Sequence, residues 1–306
     1  MIYRRLLTGL VCLPVLFLAI WQGDFWFPAA LVICATIAII EFIKMTGINN
    51  QRNPWLLSIV WTISFLVVGL YSIDISTFFS LSLVVLIVGA LLNALRVIIF
   101  CEKQAIYRTW VISSLGPIYI GFCLAHALAL RNLGLDDDLG RNWILFSIVL
   151  IFTSDTGAYI IGRTIGKHPI APRFSPNKTW EGTIAGFILV LVAALSMNKI
   201  FFPEIIYWQV LLIGATVGFM APIGDLFESK LKRIYGMKDT GSILPGHGGM
   251  LDRLDSILLA IPFVYYYAII IEIYRACALL MSINVWPEDA SLDLVAGITK
   301  VAVADG

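Results

Sequence analysis

Residues 78–95 read "FFSLSLVVLIVGALLNAL", a stretch with no charged side chain. Its reading decides the fold. An α-helix rises 1.5 Å per residue, so a run of this length comes close to crossing a hydrocarbon core of ~30 Å. A barrel strand would instead alternate apolar and polar residues over about ten positions, and this run does not alternate. Inside lipid a helix also satisfies its own backbone donors and acceptors. Comparable runs recur on both sides, at 6–21, 25–43, 55–71, 111–130, 143–161, 182–197, 206–223 and 257–281. Several fall short of ~20 residues and need flanking residues to complete the crossing. The expectation is an all-α polytopic membrane protein of about nine transmembrane helices.

Composition agrees. The chain is 59% hydrophobic and 13% charged, with a mean hydropathy of +0.90, which excludes a soluble domain with an ordinary polar surface. No internal repeat is evident. The net charge of +1 conceals a sorted distribution. With the N-terminus inside, sixteen Lys and Arg fall on the inner side and five on the outer, against nine and eleven acids. That positive-inside bias predicts a cytoplasmic N-terminus. The first run, "RRLLTGLVCLPVLFLAI", has no small-x-small cleavage site after it and reads as a retained helix. The five cysteines form no CxxC pair and read as small apolar residues.

The chain divides by polarity. Residues 1–140 hold five spans with few internal polar groups and read as scaffold, with Glu41 and Arg96 snorkelling at inner boundaries. Residues 141–282 carry the polar chemistry and two long inner loops. Residues 283–306 form an external, mildly acidic tail.

Asp155 lies inside the sixth span, where a carboxylate must face the bundle interior or water; a structural hydrogen bond is the competing reading. Asp225 closes the eighth span, and Glu228, Ser229 and Lys232 follow at spacings that share a helix face. Asp252 and Asp255 open the ninth, where the helix dipole also favours carboxylates. The second loop is therefore bracketed by Asp225, Asp252 and Asp255. Hard oxygen ligands of this kind suit Mg²⁺ or Mn²⁺, and no His or Cys grouping suits zinc.

Between them stand Lys230, Lys232, Arg233, Lys238 and Asp239, then "PGHGG" with His247, Gly248 and Gly249. Glycines let backbone amides turn toward an anion, and the cations supply countercharge, so the loop suits a nucleoside triphosphate. A basic patch for lipid headgroups is the plainer alternative. The first loop adds Arg163, Lys167, Arg173 and Lys178. "GAYIIGRT", at 157–164, approaches a phosphate-binding loop, but Arg replaces its lysine and no strand precedes it. The sequon at Asn177 faces inward.

"SKLKRIYGMKDTGSILPGHGGMLDRLD", at 229–255, resembles the signature of the phosphatidate cytidylyltransferase (CDP-diacylglycerol synthase) family. It has the family's Ser, Lys-Arg, Lys-Asp, Pro, His-Gly-Gly and Asp-Arg-apolar-Asp in order. "SDTGAY" and "SPNKTWEG" are also similar to bacterial members, so the likeness covers about residues 1–282. The resemblance implies that CTP and phosphatidate become CDP-diacylglycerol and pyrophosphate, with one or two Mg²⁺ ions. It places the metal ligands on Asp225 and Asp252. Lys238, Asp239, His247 and Arg253 join them as catalytic positions. Asp155, Lys178, Ser229, Lys232, Arg233, Gly248, Gly249 and Asp255 stand as substrate-binding positions.

The expected setting is the cell inner membrane, as a multi-pass protein whose active site faces the cytoplasm by the charge count. Membrane lipids are its surroundings, nucleic acid is not a partner, and the chain is expected to form a homodimer. Two other readings stay open. A CTP-dependent polyprenol or lipid kinase would release CDP rather than pyrophosphate. A transporter would place its ionisable groups near the midplane, whereas here they gather at one face.

Overall fold

The computed structural model describes residues 14–47, 54–134, 137–241, 243 and 248–282. Its helices are α1 (residues 14–22), α2 (Trp26–Thr46), α3 (Pro54–Tyr71), α4 (Ile75–Phe100), α5 (Ile106–Gly116), α6 (Cys123–Arg131), α7 (Asp137–Ile165), α8 (Trp180–Phe201), α9 (Tyr207–Ile234) and α10 (Leu251–Ser282). A π-helical turn, Pro117–Phe122, joins α5 to α6, so these form one crossing, Lys103–Arg131. Among the described residues, seven helices are long and apolar enough to span a bilayer, and Trp55–Tyr71 is a shorter apolar one. These eight coincide with eight of the nine expected spans. Half of the first, 6–21, lies outside the described residues and its second half is α1; the tail at 283–306 lies wholly outside them.

Burial separates a central helix from peripheral ones. In the Lys103–Arg131 crossing 72% of the most apolar window is buried, against 17% in α4. Leu81, Val84, Val88, Leu91, Leu95 and Ile98 of α4 are exposed, as side chains facing lipid should be. Polar groups inside the bundle find partners across helices. Asn93 donates to Ser113 Oγ (2.9 Å) and Ser114 Oγ (2.8 Å). Arg96, expected to snorkel, is half-buried instead and donates to Asn93 Oδ1 at 3.0 Å.

Small residues bring α7 and α8 into backbone contact. A Cβ on Gly182 would lie 2.5 Å from the Ala158 carbonyl oxygen and 2.8 Å from the Gly162 Cα. Lipid offers helices no hydrophobic reason to associate, so such close van der Waals packing holds them together. Gly224 of α9 approaches the Asp255 carbonyl in the same way, at 2.4 Å for its notional Cβ. Asp225 is thereby set beside the first turns of α10.

The long inner loop after α7 contains a small antiparallel hairpin. Strand β1 (Pro169–Ala171) pairs with β2 (Ser175–Thr179), with an irregular register between Pro169 and Ala171. Thr179 then caps α8 by accepting from the Gly182 N–H at 3.2 Å. The stretch at 157–164 lies within α7, so it is helix and no phosphate-binding loop.

Replacing Gly182 by Val should force α7 and α8 apart. The expected loss is about 1–3 kcal/mol of stability, read as a lower thermal midpoint in detergent; an unchanged midpoint would show that the contact is slack.

Candidate active site

The polar ends of α7, α9 and α10 converge with the hairpin. As the spacing predicted, α9 continues past the apolar run and carries four polar residues on one face. Ser229 Oγ donates to Asp225 Oδ1 at 3.3 Å, and Lys232 lies 3.2 Å from Glu228 Oε1. Lys178, held at the end of β2 by the cap of α8, forms an ion pair with Asp225 Oδ2. Asp155 of α7 accepts from Ser256 Oγ of α10 at 3.2 Å. Asp255 is within electrostatic range of Asp225, Glu228 and Asp155, and Arg253 acts on Asp155. Asp155, Asp225, Glu228 and Asp255 are thus neighbours where these helix ends meet.

Asp252 is its most heavily bonded member. Oδ1 accepts from Lys232 Nζ at 2.6 Å. Oδ2 accepts from the Thr240 N–H (2.9 Å), Thr240 Oγ1 (3.0 Å) and the Gly249 N–H (2.8 Å). Two consequences differ from the expectation for "GHGG". The Gly249 amide is committed to a carboxylate of the protein rather than turned toward a ligand. Gly248, at φ +84°, needs glycine for its left-handed backbone, and a Cβ there would lie 2.9 Å from Asp252 Oδ2. His247 lies outside the described residues.

Beyond the cluster, a cleft of about 420 Å³ opens between the hairpin and the end of α9. Phe174, Ser175, Pro176 and Asn177 line one side; Ser229, Lys232, Arg233, Lys238 and Asp239 line the other. Arg233 Nε donates to the Phe174 carbonyl at 3.2 Å, and Lys230 lies 5.8 Å above the Phe174 ring. These contacts dock the hairpin on α9. Ser229 and Lys232 belong to both cleft and cluster, so a ligand in the cleft would abut the carboxylates.

Among the described residues, no group of three or more His, Cys, Asp and Glu is arranged as a ready-made metal centre. The donor chemistry nevertheless fits a hard divalent cation. Asp225 and Asp252 offer only oxygens, and each already holds a cationic ammonium, from Lys178 and Lys232 respectively.

Sequence reasoning missed Glu41. It does not snorkel: it is 2% exposed, and Oε2 accepts from the Leu251 N–H (3.0 Å) and Thr240 Oγ1 (3.2 Å). Those partners lie 210 and 199 residues away in sequence, so no local pattern could have announced them. Gly249 fits beside it, since a Cβ there would meet Thr240 Oγ1 at 2.2 Å and Glu41 Oε2 at 2.5 Å.

Fold and site together define a multi-pass membrane enzyme whose candidate site residues gather at the ends of α7, α9 and α10. The chain belongs to the cytidylyltransferase family, whose sequence model matches residues 3–271. It is 33% identical to the phosphatidate cytidylyltransferase of Bacillus subtilis (strain 168), over 86% of this chain and 96% of that one. It is 31% identical to that of Haemophilus influenzae, over 87% and 98%, and 32% identical to that of Staphylococcus saprophyticus, over 85% and 96%.

Glu41→Ala should leave the Leu251 N–H short of its acceptor, while the Thr240 hydroxyl keeps Asp252 Oδ2. The cost of an unpaired buried donor is about 1–3 kcal/mol. The expected readout is faster amide exchange at 249–252 with α2 itself still folded; unchanged exchange there would contradict the clamp.

Proposed function

We propose that the chain transfers a cytidylyl group from CTP to phosphatidate, giving CDP-diacylglycerol and pyrophosphate at the inner face of the cell inner membrane. The observation that carries the reading is the cleft lined by Lys232, Arg233 and Lys238, which shares Lys232 with the carboxylate cluster. A triphosphate needs dense positive charge, and a lipid phosphate must meet it at the edge of the bilayer. The positive-inside distribution supports a cytoplasmic cleft.

The chemistry follows from charge. A phosphate oxygen of phosphatidate attacks the α-phosphorus of CTP; the new P–O bond forms as the bond to the β-phosphate bridge breaks, and its electron pair leaves on pyrophosphate. The attacking oxygen is already anionic, so no general base is required. The obstacle is repulsion between two anions, together with charge building on the leaving group. Lys232, Arg233 and Lys238 offset that charge from the cleft, and Ser229 and Asn177 offer hydrogen bonds. Asp225 and Asp252 would hold Mg²⁺, which supplies countercharge to the phosphates. Glu41 and Thr240 keep Asp252 in place, so that catalysis rests on positioning and electrostatics.

The test uses purified protein in detergent with phosphatidate, Mg²⁺ and CTP labelled at the α-phosphate. Label should enter the lipid phase with release of pyrophosphate. Phospho-lipid with CDP would favour the kinase, and no transfer to any lipid would sink the reading. Asp225→Asn and Asp252→Asn should each lower turnover by roughly 10²–10³-fold or more while remaining folded in membranes; full activity in either removes that carboxylate from the metal assignment.

A further inference from the structure

The reaction as described leaves Tyr119 without a task. It sits in the π-helical turn Pro117–Phe122, whose proline has no amide hydrogen to give the preceding turn. Such single turns inside helices are frequent at functional sites. Tyr119 is 6% exposed, and its ring packs edge-on against Phe227 of α9, with centroids 5.2 Å apart at 61°. Its hydroxyl is buried and has no hydrogen-bond partner among the described residues, although Glu228, Asp255 and Asp225 all lie within electrostatic range. An unpaired buried hydroxyl is costly, and a bound acceptor would remove that cost.

We propose that the Tyr119 hydroxyl donates a hydrogen bond to the phosphate of the lipid substrate, which makes Tyr119 a specificity residue for a lipid phosphomonoester. The inference rests on the function proposed above. Chemistry favours it because ionised carboxylates are acceptors only, as phosphate is. The lipid side of the cluster therefore needs a donor, and a phenol supplies one without further charge. Position favours it as well. Phe227, the neighbour of Tyr119, is 37% exposed and continues an outward apolar stripe of α9 with Phe219 and Ile223, at helical spacings of four. Acyl chains lying along that stripe would bring their headgroup to Tyr119, whereas the basic cleft opens on the hairpin side.

The experiment compares the full chain with Tyr119→Phe, both purified in detergent, using dioleoyl phosphatidate in mixed micelles with CTP and Mg²⁺. The variant should lose roughly tenfold in kcat/KM for phosphatidate, the worth of one hydrogen bond to a charged group. Its KM for CTP and thermal midpoint should not change, since the hydroxyl bonds nothing among the described residues. Without nucleotide, the immobilised variant should retain dioleoyl phosphatidate about tenfold more weakly and diacylglycerol equally well. Parental kcat/KM for phosphatidate, a defect in CTP KM instead, or a lowered midpoint would each overturn the assignment. Absence of CDP-lipid from the parent protein would sink the proposed function itself; an active parent with an indifferent variant would sink only the hydrogen bond.

Discussion

The polar end of the molecule depends on the carboxylate of Asp252. Four donors converge on it, from Lys232, the amide and hydroxyl of Thr240, and the amide of Gly249. A charge so enclosed is tolerable only when its lone pairs are occupied. The same bonds fix the start of α10, the end of α9 and the Gly-rich loop relative to one another. Glu41 extends the arrangement, because Thr240 Oγ1 lies between Glu41 Oε2 and Asp252 Oδ2. A hydroxyl has one hydrogen to give, so the two carboxylates compete for it. The competition ties a helix of the first half to the chemistry of the second.

The bilayer explains why these contacts occupy one end of the bundle. Hydrocarbon leaves no backbone group unpaired, so loops and strand edges are confined to the interface. The hairpin, the turn after α9 and the cleft between them therefore lie beyond the apolar stretches. Deeper in, helix association must come from close packing. The α7–α8 contact at Gly182 does this, and it also sets how far Asp155 stands from Lys178.

Much of the bundle could be read directly from sequence, because continuous apolar runs have one structural meaning in lipid. The carboxylates bracketing the second loop were equally visible, since the spacing of Asp225, Glu228, Ser229 and Lys232 is local. Glu41 was misread for the opposite reason. Its position near Lys44 at a helix end looks like an interfacial residue, and its real partners come from Thr240 and Leu251. The hairpin was hidden by Pro169, Pro172 and Pro176, which argue against strands yet fit a short, irregular pair at an edge. Tyr119 is one aromatic among many in an apolar run, and only the π-helical turn and the missing partner set it apart.

Charge balance at the cluster gives the site its direction. Asp155, Asp225, Glu228, Asp252 and Asp255 stand together, and the ammonium groups paired with them are those of Lys178 and Lys232. Fully ionised, the carboxylates outnumber these two lysines, an arrangement that favours gaining positive charge. The neighbouring cleft has the opposite bias, since beyond the shared Lys232 it sets Arg233 and Lys238 against Asp239. A metal-bound nucleotide brings positive and negative charge in one ligand and would satisfy both halves at once. Such a ligand is what the function proposed above requires.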